Sequence, residues 1–145
     1  VSVPEIGVIH AHEAPEVLRL LEGNRLPREG LDAHLPTTLV ARVDGRIVAS
    51  AALEMYGDAA LLRSVAVSAP LRGGGLGIRM TREALALAKR LGAMRVYLLT
   101  ETAEGFFAGQ GFHRIARDAA PEAVRGSVEF TAVCPQSAIA MEREI

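Results

Sequence analysis

Residues 72–77, Arg72-Gly73-Gly74-Gly75-Leu76-Gly77, put four glycines beside an arginine between the apolar run "LLRSVAVS" and the helical-period segment "IRMTREALALAKRLG". Glycine at this density costs conformational entropy on folding, so the stretch suggests a close approach to the main chain. A helix N-terminus offers unpaired N–H groups and a partial positive charge. Glycines in front of it would let a diphosphate reach those groups. Arg72, with Arg79 further along, would add charge-assisted bonds. The plainer alternative is a flexible strand-to-helix turn. Two phosphate motifs are excluded. A P-loop needs Gly-Lys-[Ser/Thr], but Gly77 is followed by Ile78 and Arg79. A dinucleotide fingerprint needs a third glycine where Ile78 or Met80 stands.

Other side chains could act on a ligand. Glu54 precedes the Tyr56-Gly57-Asp58 turn. In a partly buried cleft its carboxylate could relay a proton; on an open strand face it would be solvated. Arg63 interrupts an apolar run. Strict alternation puts it on one face with Val65 and Val67, where it could grip an anion or pair with Glu54. Ser64 could bond into the cleft or to the backbone. Cys134, the only cysteine, reads as a nucleophile or as a small buried hydrophobe. Of His10, His12, His34 and His113, only the first two have ligand-like spacing, and they lack a Cys or carboxylate partner, so no metal site is expected. Arg125 and Glu129 could line a pocket or lie on a solvated surface. Tyr97, one of two tyrosines with Tyr56, and the Phe106–Phe107 pair read as core.

These residues need a scaffold. A chain of 145 residues fits one domain over 1–145 and can build a sizeable core. No apolar run approaches the roughly 18 residues of a membrane span. The N-terminus lacks a signal-peptide pattern, and one cysteine allows no intrachain disulfide, so a cytoplasmic protein is expected. A net charge of −1 and the absence of Trp argue against a nucleic-acid surface. A first strand is predicted at 2–9, with Pro4 marking an edge, and a helix at 14–24 on Val17, Leu18, Leu20 and Leu21. Asp44–Gly45 predicts a hairpin between "TLVARV" and "RIVASAALEMY", and Gly57–Asp58 a second turn into a third antiparallel strand. A helix over 78–91 stops at Gly92. Then come the strand "MRVYLLT", a short helix stopped by Gly111, the strand "FHRIA", a helical stretch broken at Gly126 and a last strand, "SAIAMERE". This is an α/β domain with a mixed sheet.

With its context, Arg72–Gly77 resembles the R/Q-x-x-G-x-G/A acyl-CoA signature of the GNAT N-acetyltransferases. "AEGFFAGQGF" is similar to a second motif of that family, and the likeness runs from Asp44 to Phe112. It implies a mostly antiparallel sheet of about seven strands flanked by helices and splayed at strands 4 and 5. Acetyl-CoA would bind in that splay. Val65, Ala66 and Val67 would pair with its pantetheine, Gly73, Gly74, Gly75, Leu76, Gly77 and Ile78 would meet its diphosphate, and an N–H near Val67 would stabilise the oxyanion. Two positions depart from the family pattern. Phe107 stands where a thiolate-protonating tyrosine is usual, and Thr100 where an asparagine is frequent. "LEMYGDAALLRSVAVSAPLRGGGLG", "LLTETAEGFFAGQGF" and "EFTAVCPQSAIAM" look most like the acetyltransferases of bacterial arsenic-resistance operons, and more loosely like the acetyltransferase domain of N-acetylglutamate synthases. The resemblance implies direct acetyl transfer from acetyl-CoA to a small, amino-acid-like amine, with Glu54, Arg63 and Ser64 as candidate catalytic groups. The alternatives are a non-catalytic acyl-CoA-binding or regulatory module, or a protein acetyltransferase. The last strand could pair across a homodimer.

Overall fold

Seven strands in the order β1-β2-β3-β4-β5-β7-β6 form one sheet in the computed structural model, which describes residues 3–145. β1 (Glu5–Val8) is an edge strand, as Pro4 suggested, and the part of the predicted strand at residue 2 lies outside the described residues. β2 (Thr38–Val43), β3 (Arg46–Tyr56) and β4 (Ala59–Val67) make the expected antiparallel meander. Asp44 and Gly45 close its first turn at φ 52° and 77°, the positive pair that a two-residue type I′ hairpin requires. α1 (Ala14–Gly23) has Pro15 in its first turn and buries Val17 and Leu21 completely.

α2 (Leu76–Arg90) starts two residues earlier than predicted, directly after Gly75. It lies on the sheet through Leu76, Met80, Ala84, Leu85 and Ala88. Ala49, Ala51 and Ala60, all fully buried, form much of the sheet surface below it. Such small residues on both faces allow a helix to approach closely. β5 (Arg95–Thr100) runs parallel to β4, as a crossover through α2 requires. α3 (Glu104–Gly109), β6 (His113–Ile115), α4 (Glu122–Arg125), a π-helical turn at Glu129–Val133 and β7 (Ile139–Glu144) complete the chain. β7 does not close the sheet. It is hydrogen-bonded to β5 on one side and to β6 on the other, so the edge at that end is β6, not the last strand. No helix among the described residues is long and apolar enough to cross a membrane.

A register shift in the β3–β4 ladder sets which β4 side chains share a face. Ser50 faces Ala66 while Ala52 faces Arg63, so Ala51 on β3 is opposed by both Ser64 and Val65. This is a β-bulge, and Ser64 adopts φ 60° to make it. Ser50 Oγ donates to the Ser64 carbonyl at 2.7 Å and holds the kink. The extra residue resets the alternation. Leu62, Val65 and Val67 pack toward α2, whereas Arg63 and Ala66 point to the opposite face. The prediction that Arg63 shares a face with Val65 and Val67 is therefore corrected; it assumed an unbroken period of two.

Left-handed backbone at a non-glycine residue carries a cost that glycine does not, and a β-branched residue carries more. Ser64→Gly is thus expected to leave stability within about 1 kcal/mol of wild type, and Ser64→Val to lower it by about 1–3 kcal/mol. Urea unfolding would check this, and equal effects of the two would contradict the bulge.

Candidate active site

β4 and β5 pair at only three positions, Ala59–Arg95, Ala60–Val96 and Leu61–Tyr97. Beyond them the strands part, and two connected hollows fill the opening. The first, about 430 Å³, is lined by Arg63, Ser64 and Val65 of β4, Leu98–Thr100 of β5, Arg25, Phe107, Glu129 and Cys134. The second, about 420 Å³, runs along Val65–Val67 to Arg72, Gly73, Gly75, Gly77 and Ile78. They share Asn24, Val65, Ala103 and Phe107.

The second hollow contains most of the predicted glycine-loop residues. Gly75 is the N-cap of α2 at φ 86°, and no side chain caps the helix. The first intrahelical bond is Arg79 N–H to Gly75 O, so the N–H groups at the start of α2 remain available to a ligand. A Cβ at Gly73 or Gly75 would meet no protein atom, but both residues have positive φ, which side chains resist. Gly77 has another role: a Cβ there would touch the Phe106 ring at 3.5 Å. Gly74 and Leu76 do not line the hollow; Leu76 is buried in the core under α2. Arg72 donates to Asn24 Oδ1 at 2.8 Å and to the Val67 carbonyl at 3.2 Å.

Ser68 N–H bonds to Val48 O, so alternation turns the N–H and C=O of Val67 away from β3, toward the gap left by β5. The same edge includes Val65 beyond the bulge. An unpaired strand edge of this kind can receive an extended chain.

The first hollow has a charged wall. The Arg63 side chain is fully buried; its guanidinium bonds Glu54 at 2.9 Å, the Pro27 carbonyl at 3.3 Å and Ser64 Oγ at 3.3 Å. Glu54, 1% exposed, also accepts from the Tyr56 hydroxyl and has His34 Nε2 at 3.6 Å. Burial and the Glu54 contact push the Tyr56 hydroxyl well above the ordinary phenol range, so it stays protonated. Glu54 is therefore a buried structural partner of Arg63 and does not line the hollow. The solvent-facing alternative is corrected: regular pairing of Ala52 with Arg63 and of Glu54 with Leu61 puts Glu54 and Arg63 on one buried face.

Glu129 occupies the place sought for Glu54. Sequence reasoning favoured a solvated surface for it, yet it is 4% exposed and lines the hollow. Its Oε2 lies 3.4 Å from Arg63 Nε, which is directed to Ser64 Oγ. Burial raises the Glu129 carboxyl to about 7, and Arg63, already engaged by Glu54, only partly offsets this. Burial and the neighbouring Glu129 push the Cys134 thiol up to about 12, so the thiol is neutral and a poor nucleophile. Thr100 Oγ1 accepts from Ala103 N–H at 3.0 Å at the start of α3. Phe107 is buried against Phe112 and borders both hollows. Tyr97 is core, as expected. His10 and His12 stack on each other at 5.7 Å. Arg125 donates to the Ala120 carbonyl and is not among the lining residues.

A raised carboxyl pKa makes a signed prediction about stability. The native state holds the Glu129 proton up to about pH 7, whereas the unfolded chain releases it near 4.5. This contribution is complete below about pH 4.5 and is lost as pH rises through 7. The stability of Glu129→Gln relative to wild type should therefore grow by roughly 3 kcal/mol between pH 4.5 and 8. Denaturant unfolding at both pH values measures it, and a constant difference would contradict the burial.

Comparison with known proteins identifies relatives of this chain. Amino-acid acetyltransferases of two Neisseria meningitidis strains are each 29% identical over 100 residues, covering 68% of this chain and 23% of theirs. The chain thus spans about a quarter of the length of these curated relatives. In fold it is similar to N-acetylglutamate synthase from Neisseria gonorrhoeae, solved with coenzyme A and N-acetyl-glutamate: TM-score 0.84, 24% identity, 99% of this chain and 35% of that one. It is also similar to Rv2747 from Mycobacterium tuberculosis, solved in complex with CoA, at TM-score 0.83, 22% identity, and 98% and 99% coverage. The Acetyltransferase (GNAT) family matches residues 8–115, more than half of the sequence, and the chain belongs to that family.

Proposed function

We propose that this protein transfers an acetyl group from acetyl-CoA to the amine of a small, amino-acid-like acceptor, by direct attack in a ternary complex. The observation that carries the reading is the junction of the two hollows at Val65, Ala103 and Phe107. A diphosphate at Gly73–Ile78 and a pantetheine along Val65–Val67 would bring the thioester to that junction. The acceptor would come from the other side. A hollow of about 430 Å³ is the size of a small-molecule site, which favours a metabolite over a protein tail. Its wall offers a carboxylate, Glu129, and the exposed guanidinium of Arg25, a pairing suited to a zwitterion. The names of the relatives, amino-acid acetyltransferase and N-acetylglutamate synthase, support the same acceptor class.

Catalysis then relies largely on alignment, which is worth several kcal/mol when reactants are held in near-attack geometry. The Val67 N–H at the open edge is the proposed oxyanion donor. Phe107 has no proton to give, so the departing thiolate would take its proton from the attacking amine. An acyl-CoA-binding module without catalysis is the second reading, favoured by that same Phe107. A role in arsenic detoxification is a separate proposal of context, resting on the stretch ending at Met141.

Calorimetric titration with acetyl-CoA tests the cofactor half. Wild type should bind at one site, and Gly75→Asp should bind at least about tenfold more weakly, as a carboxylate repels the diphosphate. Gly45→Asp, another left-handed glycine in open space at a distant turn, should bind like wild type. Absence of wild-type binding would overturn both readings; binding without thiol release to any amine would leave the module.

A further inference from the structure

We propose that Glu129 receives the acceptor's ammonium group and removes its proton before attack, an inference that rests on the acetyl-transfer reading above. Glu129 opens the π-helical turn Glu129–Val133, a rare element that often marks function. Cys134 N–H bonds the Glu129 carbonyl at 3.1 Å and closes that turn, and Ser127 Oγ accepts the Phe130 N–H beside it. These bonds hold the backbone of the turn, and Glu129 lines the hollow. Its contact with Arg63 Nε, which also reaches Ser64 Oγ, puts the carboxylate beside the bulge. The next residue, Val65, lies at the junction with the cofactor groove.

The surrounding charges give the site its preference. Arg63 and Glu54 face Glu129 from the sheet, and the neutral Cys134 thiol from its own turn. Arg117 and Glu101 act on Cys134 from the segment before α4 and the end of β5, and Arg25 lines the hollow from the chain after α1. One buried guanidinium lies between two carboxylates; Glu54 takes its 2.9 Å contact and also has the Tyr56 hydroxyl and His34 Nε2 beside it, so Glu129, at 3.4 Å, carries a poorly compensated negative charge. Burial of that charge is costly, which is why the Glu129 carboxyl sits near 7. A substrate ammonium supplies the missing positive charge. Arg63 acts here as a positioning residue.

The proton balance closes without another reactant. The ammonium, R–NH3+, gives one proton to the Glu129 carboxylate and becomes R–NH2. Its lone pair forms the C–N bond to the thioester carbonyl. The C–S bond then breaks, and the second amine proton goes to the departing CoA thiolate. Glu129 afterwards returns its proton to water, so the net products are the amide, CoA thiol and one H+.

The test uses acetyl-CoA with an equimolar mixture of the twenty L-amino acids, following loss of the thioester from pH 5.5 to 10. Acetyl-CoA binding by each variant is the folding control. Wild-type kcat/KM should fall tenfold per pH unit below about pH 7. In Glu129→Gln, kcat should drop by about 100-fold or more near neutrality, the limb near 7 should vanish, and the deficit should shrink as pH approaches the amine's own ionisation. Glu129→Asp, which keeps the charge, should retain a displaced limb and part of the rate. If the Gln variant fails to bind acetyl-CoA, the Asp variant decides, since an unmoved limb would overturn the proposal. Turnover by Glu129→Gln with the wild-type limb would overturn the role of Glu129 alone. No turnover by wild type that binds acetyl-CoA would overturn the acceptor reading, and this inference with it.

Discussion

The architecture turns on the shortness of the β4–β5 pairing. A parallel sheet ordinarily satisfies its central strands on both edges, yet here the ladder ends after Leu61 and Tyr97. The backbone groups beyond it must be satisfied in another way. Part of the solution is internal: Arg72 donates to Val67 O, and Ser50 to Ser64 O. The rest of the β4 edge remains open to a ligand. Every functional feature proposed for this protein lies along that opening.

The bulge at Ser64 lets one strand serve two purposes. Above it, Val65 and Val67 pack toward α2 and present their backbone to the gap. Below it, Arg63 turns to the other face, where Glu54, Pro27 and Glu129 surround it. In an unbroken strand Arg63, Val65 and Val67 would share one face, so with the valines packed toward α2 the guanidinium would enter that apolar core, where it would find no partner. Removing either glutamate alone changes the charge balance around a fully buried Arg, so the three residues form a unit. The same imbalance that raises Glu129 is what a cationic substrate group would relieve. A second pair, Glu13 with Arg42 through contacts of 2.6 and 2.7 Å, lies near β1, where Arg42 also donates to the Val8 carbonyl. The Arg42 hydrogen bonds, with the His10 N–H, keep the Glu13 carboxyl down at about 2, the opposite of Glu129, where burial dominates.

How legible this was depends on how local the physics is. The Asp44–Gly45 turn and Pro15 in the first turn of α1 are fixed by a few adjacent residues, and each was readable; the start of α2, capped by Gly75, was placed two residues late. At Gly73 and Gly75 the left-handed backbone in open space is the conformation that favours glycine. The face of Arg63 was not legible. Serine has no marked preference for φ 60°, so nothing in "LRSVAV" announces the extra residue. Glu129 was misplaced for a different reason. Glutamate is usually exposed, and a π-turn has neither of the periodicities from which burial is inferred. Its burial depends on Arg63, which is remote in sequence.

The most direct test of the account is residue-resolved amide hydrogen exchange, measured by NMR with and without acetyl-CoA. If the open edge of β4 receives the pantetheine, the amides of Val65 and Val67 should slow on binding together with those at the start of α2. Protection confined to residues 73–78, with Val65 and Val67 unchanged, would contradict the claim that the parted strands form the cofactor's seat.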